Sequence, residues 1–136
     1  ITKQMRVLPK VIHLGRVRGL DQIRNTEDGC YIGAGATYAQ AEAVLAAIDP
    51  DLGEVLRRLG SKQVRAAGTV GGNIANGSPI GDTPPPLIAL GATVHLLHGT
   101  ERRSLALEDY FLDYGKQDRA PGEFVERIRL PVPVPR

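Results

Sequence analysis

The sequence predicts an α+β fold in which a mostly antiparallel sheet is flanked by helices. Short runs of β-branched residues occur near both ends of the chain, and an Ala- and Leu-rich stretch with helical periodicity lies between them. Strands and helices do not alternate regularly along the chain, so a parallel sheet built from βαβ units is not expected.

Three short strands are predicted in the first part of the chain, over residues 10–17, 20–25 and 30–36. A helix then begins after Thr37, whose hydroxyl can cap the first turn, and it stops before Pro50. Apolar side chains recur along it at helical spacing and mark its core face: Ala41, Val44, Leu45 and Ile48.

Two further helices are predicted, a short one within 52–61 that ends at Gly60 and another that begins after Thr83. Three consecutive prolines follow Thr83 and would fill the first three helical positions, whose amides have no partner within a helix. Gly91 would end this helix, and the carboxylate of Asp82 would stay outside the cap, free for another role.

A β-hairpin is predicted around the turn Gly99–Thr100–Glu101, and a last strand lies within 123–133. Strict alternation in this strand places Phe124, Glu126, Ile128 and Leu130 on one face and Val125, Arg127 and Arg129 on the other.

The composition is that of an ordinary globular domain and excludes several functional classes. The 136 residues are 42% hydrophobic and 24% charged with a net charge of +2, so neither disorder nor nucleic-acid binding is indicated. No apolar run approaches the roughly 20 residues of a membrane span, and no signal-peptide pattern is present. The single cysteine, Cys30, excludes an internal disulfide. These features predict a cytoplasmic protein that binds neither membrane nor nucleic acid.

Other local patterns favour structural roles. Gly33 and Gly35 form the G-x-G of a dinucleotide fingerprint, but Tyr38 stands where its third glycine belongs, which indicates a plain turn from strand to helix. A basic cluster at a helix end is expected to be solvated surface: Arg57, Arg58, Lys62 and Arg65. The three histidines have no metal-ligand spacing.

The most informative stretch is AAGTVGGNIANGSPIGD, residues 66–82. Gly71 and Gly72 allow the backbone to approach an anion or a flat ring, because no Cβ intervenes. The stretch also carries polar groups for a polyol, namely Asn73, Asn76 and Asp82. Val70, Ile74 and Ile80 are expected to anchor it to the core. Binding of a phosphorylated cofactor and purely structural packing both remain open on these grounds.

The segment GSKQVRAAGTVGGNIANGSPIGDTPPPLIALGATVHL closely resembles the FAD-binding domain of the molybdenum hydroxylases. LPKVIHLGRV, YIGAGATY and YGKQDRAPGEF fit the same family, so the resemblance covers nearly the whole chain. Within the family the chain is most similar to the small subunit of bacterial xanthine dehydrogenases, which carries FAD and iron–sulfur clusters.

This resemblance implies a fold, an activity and a set of cofactors. The fold would be the second subdomain of a FAD-binding domain of the vanillyl-alcohol-oxidase (PCMH) type. The whole enzyme would oxidise hypoxanthine and xanthine to urate at a molybdenum–pterin centre and pass electrons through two [2Fe–2S] clusters to FAD and then to NAD. Alternatives are the flavin subunit of a carbon-monoxide dehydrogenase or aldehyde oxidoreductase, and a non-catalytic structural module.

The resemblance also implies which residues bind FAD. The matching motif positions that would contact the cofactor are Thr69, Val70, Gly71, Gly72 and Asn73. Asp82 would lie near the ribityl chain or the ring, Leu59 would pack against the flavin, and Val125 would add an apolar contact from the last strand.

Residues 1–136 are accordingly expected to be one part of a FAD-binding domain, with residues 1–6 as the tail of a preceding helix. The loop that cradles the FAD pyrophosphate and the iron–sulfur domain would lie elsewhere in the subunit. The expected partners are those parts of the subunit and a large molybdenum-binding subunit. Apolar surface left exposed toward them is expected to favour self-association.

Overall fold

A computed structural model describes residues 7–132, so the helix tail predicted for residues 1–6 lies outside the described residues. Five strands form one antiparallel sheet in the order β1-β2-β7-β3-β4. They are β1 (Ile23–Thr26), β2 (Gly29–Gly33), β3 (Thr93–His98), β4 (Glu101–Ala106) and β7 (Phe124–Leu130). A separate two-stranded sheet pairs β5 (Phe111–Asp113) with β6 (Lys116–Gln117). The predicted α+β fold with an antiparallel sheet is confirmed.

The described part of the chain contains six α-helices where the sequence predicted three. They are α1 (Tyr38–Ile48), α2 (Pro50–Arg58), α3 (Lys62–Ala67), α4 (Val70–Asn76), α5 (Pro84–Ala89) and α6 (Leu107–Tyr110). The three unpredicted helices are four to seven residues long, and two of them lie in the glycine-rich region. Such short helices carry too little periodic sequence to be recognised, and packing rather than propensity stabilises them.

The boundary between α1 and α2 follows the predicted signals. Thr37 caps α1 in a capping box, in which its hydroxyl accepts from the Gln40 amide and the Gln40 side chain accepts from the Thr37 amide. Pro50 ends α1 and also starts α2, because Asp49 caps the new helix by accepting from the Leu52 amide at 3.0 Å.

One face of the five-stranded sheet is buried beneath the helices and forms the core. Its side chains are at most 4% exposed: Cys30, Ile32, Val94, Leu96, Val125, Ile128 and Leu130. Helix α4 packs across β2 and β7. The glycine-rich stretch is therefore attached to the centre of the sheet.

The side-chain alternation predicted for β7 is wrong in the first half of the strand. His95 pairs with Arg127 while the next residue of β3, Leu96, pairs with Val125, so β7 holds one extra residue at this point. This β-bulge turns Val125 onto the same buried face as Ile128 and Leu130. A bulge depends on the register of the neighbouring strand and leaves no signal in the alternation itself.

The strand predicted over 10–17 is also wrong, since the structure has only a 3-10 turn there, at Leu14–Arg16. Its apolar side chains project into solvent, with Ile12 84% exposed. A strand requires a neighbour for its backbone hydrogen bonds, and no strand of residues 7–132 lies beside this segment. The strand predicted over 20–25 begins only at Ile23.

Candidate functional site

The glycine-rich stretch begins in the last turn of α3, and Gly68 and Thr69 join α3 to the next short helix, α4. Thr69 is the N-cap of α4, and its Oγ1 accepts a hydrogen bond from the Gly72 amide at 2.9 Å. Val70 and Ile74 are fully buried, as predicted for core anchors. Ile80 is not an anchor, since it is 87% exposed on the turn that Ser78 and Gly81 close after the helix.

The two adjacent glycines have different surroundings. Gly71 is buried, and a Cβ at this position would lie 2.3 Å from the Cβ of Ala34, so Gly71 allows α4 to approach the turn after β2. Gly72 is exposed, and a Cβ there would meet only the side chain of Thr69. The first turn of α4 is thus closed toward the core at Gly71 and open toward solvent at Gly72.

A buried polar network holds this open turn in place. Thr83 is buried, at 1% exposure, and its hydroxyl donates a hydrogen bond to Oδ1 of Asn73 at 2.7 Å. The Tyr38 hydroxyl lies 3.5 Å from the same Thr83 oxygen. Burial raises the pKa of Tyr38, whereas the Thr83 contact opposes that rise. The network joins the starts of α1 and α5 to α4.

Thr83 occupies the predicted N-cap position of α5, but its side chain caps no amide. Proline has no N–H, so the prolines at 84–86 leave the hydroxyl without a first-turn donor to accept from. The hydroxyl bonds to Asn73 instead. This leaves Nδ2 of Asn73 as a donor at the rim of the site.

Asp82 precedes this cap and is exposed, as the sequence predicted for a carboxylate outside the helix. It lies near enough to the Tyr38 hydroxyl to raise the pKa of Tyr38, although burial is the larger cause. Thr69, Gly72, Asn73 and Asp82 therefore come together on one surface. They offer a hydroxyl, an amide side chain and a carboxylate beside open helix backbone, which suit a neutral polyol or an oxygen-rich ligand.

Of the other four predicted contact residues, Val70 and Gly71 are buried in the first turn of α4, and Leu59 and Val125 belong to other elements. Leu59 is half-buried at the C-terminal end of α2, where its carbonyl accepts from Arg65 at 3.2 Å. Val125 is 4% exposed in the core beneath the helices. In the described structure Val125 therefore presents almost no surface to solvent.

The sequence does not reveal the roles of two residues near the site. It presents Tyr38 only as the residue that breaks a glycine motif and Thr83 only as a helix cap.

A cleft of about 230 Å³ lies between the loop after α4 and the β5–β6 hairpin, with Pro79, Gly81 and Tyr114 in its wall. Gly77, at a φ of 56°, leaves the space that the Gln117 side chain occupies beside this loop.

The patterns assigned to structural roles have such roles. A Cβ on Gly33 would lie 2.2 Å from the carbonyl oxygen of Leu20, and the Gly35 amide donates to that oxygen. In the basic cluster, Arg57 and Arg58 pair with Glu54, and Arg65 caps the end of α2.

The described residues contain neither a metal-binding cluster nor a membrane-spanning helix. Within 7–132, no group of three or more His, Cys, Asp or Glu side chains is placed to hold a metal ion. Over the same residues, no helix is both long enough and apolar enough to cross a bilayer.

Solved structures and known proteins resemble this chain. Quinoline 2-oxidoreductase from Pseudomonas putida 86 superposes with a TM-score of 0.77 at 27% identity, over 84% of this chain and 41% of that chain. The carbon monoxide dehydrogenase medium chain of Afipia carboxidovorans is 34% identical over 126 residues. Xanthine dehydrogenase of Oryza sativa is also 34% identical, over 140 residues.

The alignments include most of this chain but only part of each relative. They cover 89% of this chain and 44% of the carbon monoxide dehydrogenase medium chain, and 94% of this chain and 10% of the rice enzyme. The model of the FAD binding domain in molybdopterin dehydrogenase matches residues 1–133. The chain therefore belongs to the family of FAD-binding domains of molybdopterin dehydrogenases.

Proposed function

We propose that the chain holds the flavin part of FAD at the first turn of α4, as a component of an oxidoreductase of the xanthine dehydrogenase type. The observation that carries this proposal is the open turn at Gly72 beside the exposed carboxylate of Asp82. Gly72 lets a flat ring or its ribityl chain reach the helix backbone, and Asp82 can accept hydrogen bonds from ribityl hydroxyls.

The residues present fit FAD in three respects. Val70 and Gly71 are buried, so they would serve the cofactor by fixing α4 on the sheet, where the Val70 amide donates to the Ala36 carbonyl. Asn73 keeps Nδ2 for the ligand, because its Oδ1 is bonded to Thr83. Asp82 adds an acceptor on the same surface. FAD supplies the redox chemistry, accepting two electrons and returning them as hydride, and the protein supplies position and polarity.

Leu59 and Val125 are proposed as apolar contacts of the flavin. Leu59 is half-buried and can present one side to a ring. Val125 is covered in the described structure, so its proposed contribution is to the wall of the site rather than to an exposed contact.

For the whole enzyme we propose oxidation of xanthine or hypoxanthine to urate, with electrons reaching FAD through two [2Fe–2S] clusters and leaving to NAD. The similarity between this chain and the rice xanthine dehydrogenase supports this proposal. Molybdopterin and the clusters would belong to other domains or to a partner subunit.

A carbon-monoxide dehydrogenase or aldehyde oxidoreductase is the second candidate, because the carbon monoxide dehydrogenase medium chain is equally similar at 34%. In each case the substrate would be selected at the molybdenum centre. A purely structural module is the remaining alternative, and it predicts that Gly72 serves packing alone.

Titration with FAD, followed by quenching of flavin fluorescence, tests the proposed site. We expect saturable quenching with the natural chain and at least about tenfold weaker binding for Gly72→Leu, equivalent to about 1.4 kcal/mol. The control Ala47→Leu places the same side chain on the exposed face of α1, and it should bind FAD normally.

Equal affinity of Gly72→Leu and the natural chain, with both folded by circular dichroism, would favour the structural module. Should the natural chain fail to bind millimolar FAD, the titration would be repeated with the upstream half of the FAD domain restored. A second failure would reject the flavin proposal.

A further inference from the structure

The face of the sheet opposite the helices carries a groove that the flavin proposal does not use. Side chains there alternate with the buried ones, so Tyr31 and Arg127 point away from the core that Ile32 and Ile128 fill. The segment 17–22 forms one wall, and the groove has a volume of about 370 Å³. Helix α4 packs on the other face of the same strands.

The groove is strongly cationic. Four arginines line it and only one carboxylate does: Arg18, Arg24, Arg102 and Arg127 against Glu126. Arg102 pairs with Glu126 at 3.0 Å. Four positive charges and one negative charge leave a net lining charge of +3, whereas the whole chain carries only +2. Positive charge is therefore concentrated in this groove.

Arg127 is one of these four arginines, and its guanidinium lies over an aromatic ring. Its guanidinium carbon lies 5.1 Å from the centroid of the Tyr31 ring, a cation–π geometry. Its neighbour on β2 is Gly33, which has no side chain to fill the space beside it. The strand pairing and the Tyr31 ring together place the guanidinium in the lining of the groove.

Nε of Arg127 lacks a hydrogen-bond partner. It is shielded from solvent, and no acceptor in residues 7–132 bonds to it. The carboxylate of Glu126 comes only within 4.0 Å. A shielded guanidinium donor without an acceptor is unfavourable, and an oxyanion in the groove would satisfy it.

Neighbouring groups add an unpartnered ring nitrogen and an aromatic surface. Nε2 of His95, beside Arg127 on β3, has no partner within the described chain, and its ring centroid lies 5.8 Å from that of Tyr31. Burial, and then the Arg127 charge, lower the pKa of His95, so this ring is a neutral neighbour. Phe124 lines the groove as well.

From these contacts we infer that the groove is a second ligand site, distinct from the flavin surface, that binds the phosphate groups of a small phosphorylated molecule. The guanidinium groups of Arg24 and Arg127 bind the phosphate oxygens, because a planar fork of N–H donors matches an oxyanion. Tyr31 fixes Arg127 from the side, and Gly33 leaves room for the ligand.

The test is a titration of the ¹⁵N-labelled chain with inorganic pyrophosphate, followed through the Nε–Hε signals of its arginines. We expect saturable shifts of the Arg127 and Arg24 signals. Arg127→Gln should weaken binding at least about tenfold, since a charge-assisted hydrogen bond is lost. Arg57→Gln removes an exposed arginine of α2 and should change the affinity less than about twofold.

Two further measurements are needed. One distinguishes a nucleotide from other phosphate ligands, and the other replaces Arg127→Gln if that variant does not fold. ADP that binds about tenfold tighter than pyrophosphate would indicate a nucleotide, and equal affinities would indicate phosphate groups alone. Arg24→Gln, on the exposed edge strand β1, tests the groove if Arg127→Gln fails to fold.

Absence of saturable shifts at Arg127, or equal weakening by Arg57→Gln and Arg127→Gln, would overturn the inference. The Arg127→Gln variant should quench the flavin fluorescence of FAD to the same extent as the natural chain. If FAD binding fails alone, the inference of a phosphate site in the groove still stands. If phosphate binding fails alone, the flavin proposal still stands.

Discussion

Gly71 and Gly72 are chemically identical neighbours whose roles are set by what stands opposite each of them. Gly71 lies against Ala34, where a methyl group has no room. Gly72 lies at the surface, where a methyl group would displace only the Thr69 hydroxyl. The first glycine serves the packing of α4 on the sheet, and the second leaves the proposed flavin surface open.

Gly71→Ala should lower the free energy of unfolding by about 1 to 3 kcal/mol, the usual effect of overpacking a core. Gly72→Ala should change it by less than about 1 kcal/mol, because the gain in helix propensity offsets the disturbed cap. Urea denaturation of both variants checks this. A Gly71→Ala variant as stable as the natural chain would show that Ala34 can move aside.

Glu123 shows how one residue ties the loop before β7 to the sheet. Its side chain is 7% exposed, and it accepts from Arg103 at 2.7 Å and from the Ala120 amide at 2.8 Å. The hydrogen bond from Arg103 is the largest cause that lowers the pKa of Glu123, from 4.5 to about 2.

A carboxylate with a lowered pKa stabilises the fold above its unfolded pKa, and this contribution is lost as protons bind. For Glu123 it should be complete above about pH 4.5 and decline as the pH falls toward about 2. Glu123→Gln should flatten the acid limb of a stability–pH curve measured by urea denaturation. If the acid limb is unchanged, the loss of stability at low pH comes from other carboxylates.

At the scale of elements, Thr83 connects three helices through one hydroxyl. The prolines that start α5 leave this hydroxyl free to bond Asn73 of α4, and Tyr38 of α1 lies beside it. The orientation of Asn73 toward the proposed flavin surface therefore depends on the start of a helix ten residues later.

Thr83→Val keeps the shape of the side chain but leaves Oδ1 of Asn73 without its donor. We expect a loss of about 1 to 3 kcal/mol in the free energy of unfolding, together with weaker FAD binding. Thr83→Ser keeps the hydroxyl and is the matched control. If Thr83→Val and Thr83→Ser bind FAD equally well, Asn73 does not depend on this bond.

At the scale of the whole molecule, the segment before β1 exposes apolar side chains that no part of residues 7–132 covers. Val7, Val11 and Ile12 are 91%, 72% and 84% exposed. A cluster of apolar side chains on one segment favours association with another surface.

The isolated chain should therefore self-associate as its concentration rises, and Ile12→Asp should reduce this association. Light scattering after size-exclusion chromatography measures it. Val64→Asp alters an isolated exposed apolar residue of α3, 51% exposed, and should have no effect. A monomer at high concentration would contradict the prediction.

Long periodic elements and local signals could be predicted from the sequence. Helix α1 has a core face at Ala41 and Leu45 and a capping box at Thr37, and all the signals involved lie within a few residues of one another. The hairpin between β3 and β4 follows from Gly99 at a φ of 60° between two β runs. The resemblance to the family was also predicted chiefly from a local motif, residues 69–82, and the family match covers residues 1–133.

Only the tertiary structure decided features that depend on distant partners. The bulge that buries Val125 depends on the register of β3, and the exposure of Ile80 depends on where α4 ends. The segment 10–17 has the sequence of a strand but no neighbour to pair with in the described structure. Spacing along a sequence fixes which side chains share a face, whereas the contacts that complete an element come from residues far away in the chain.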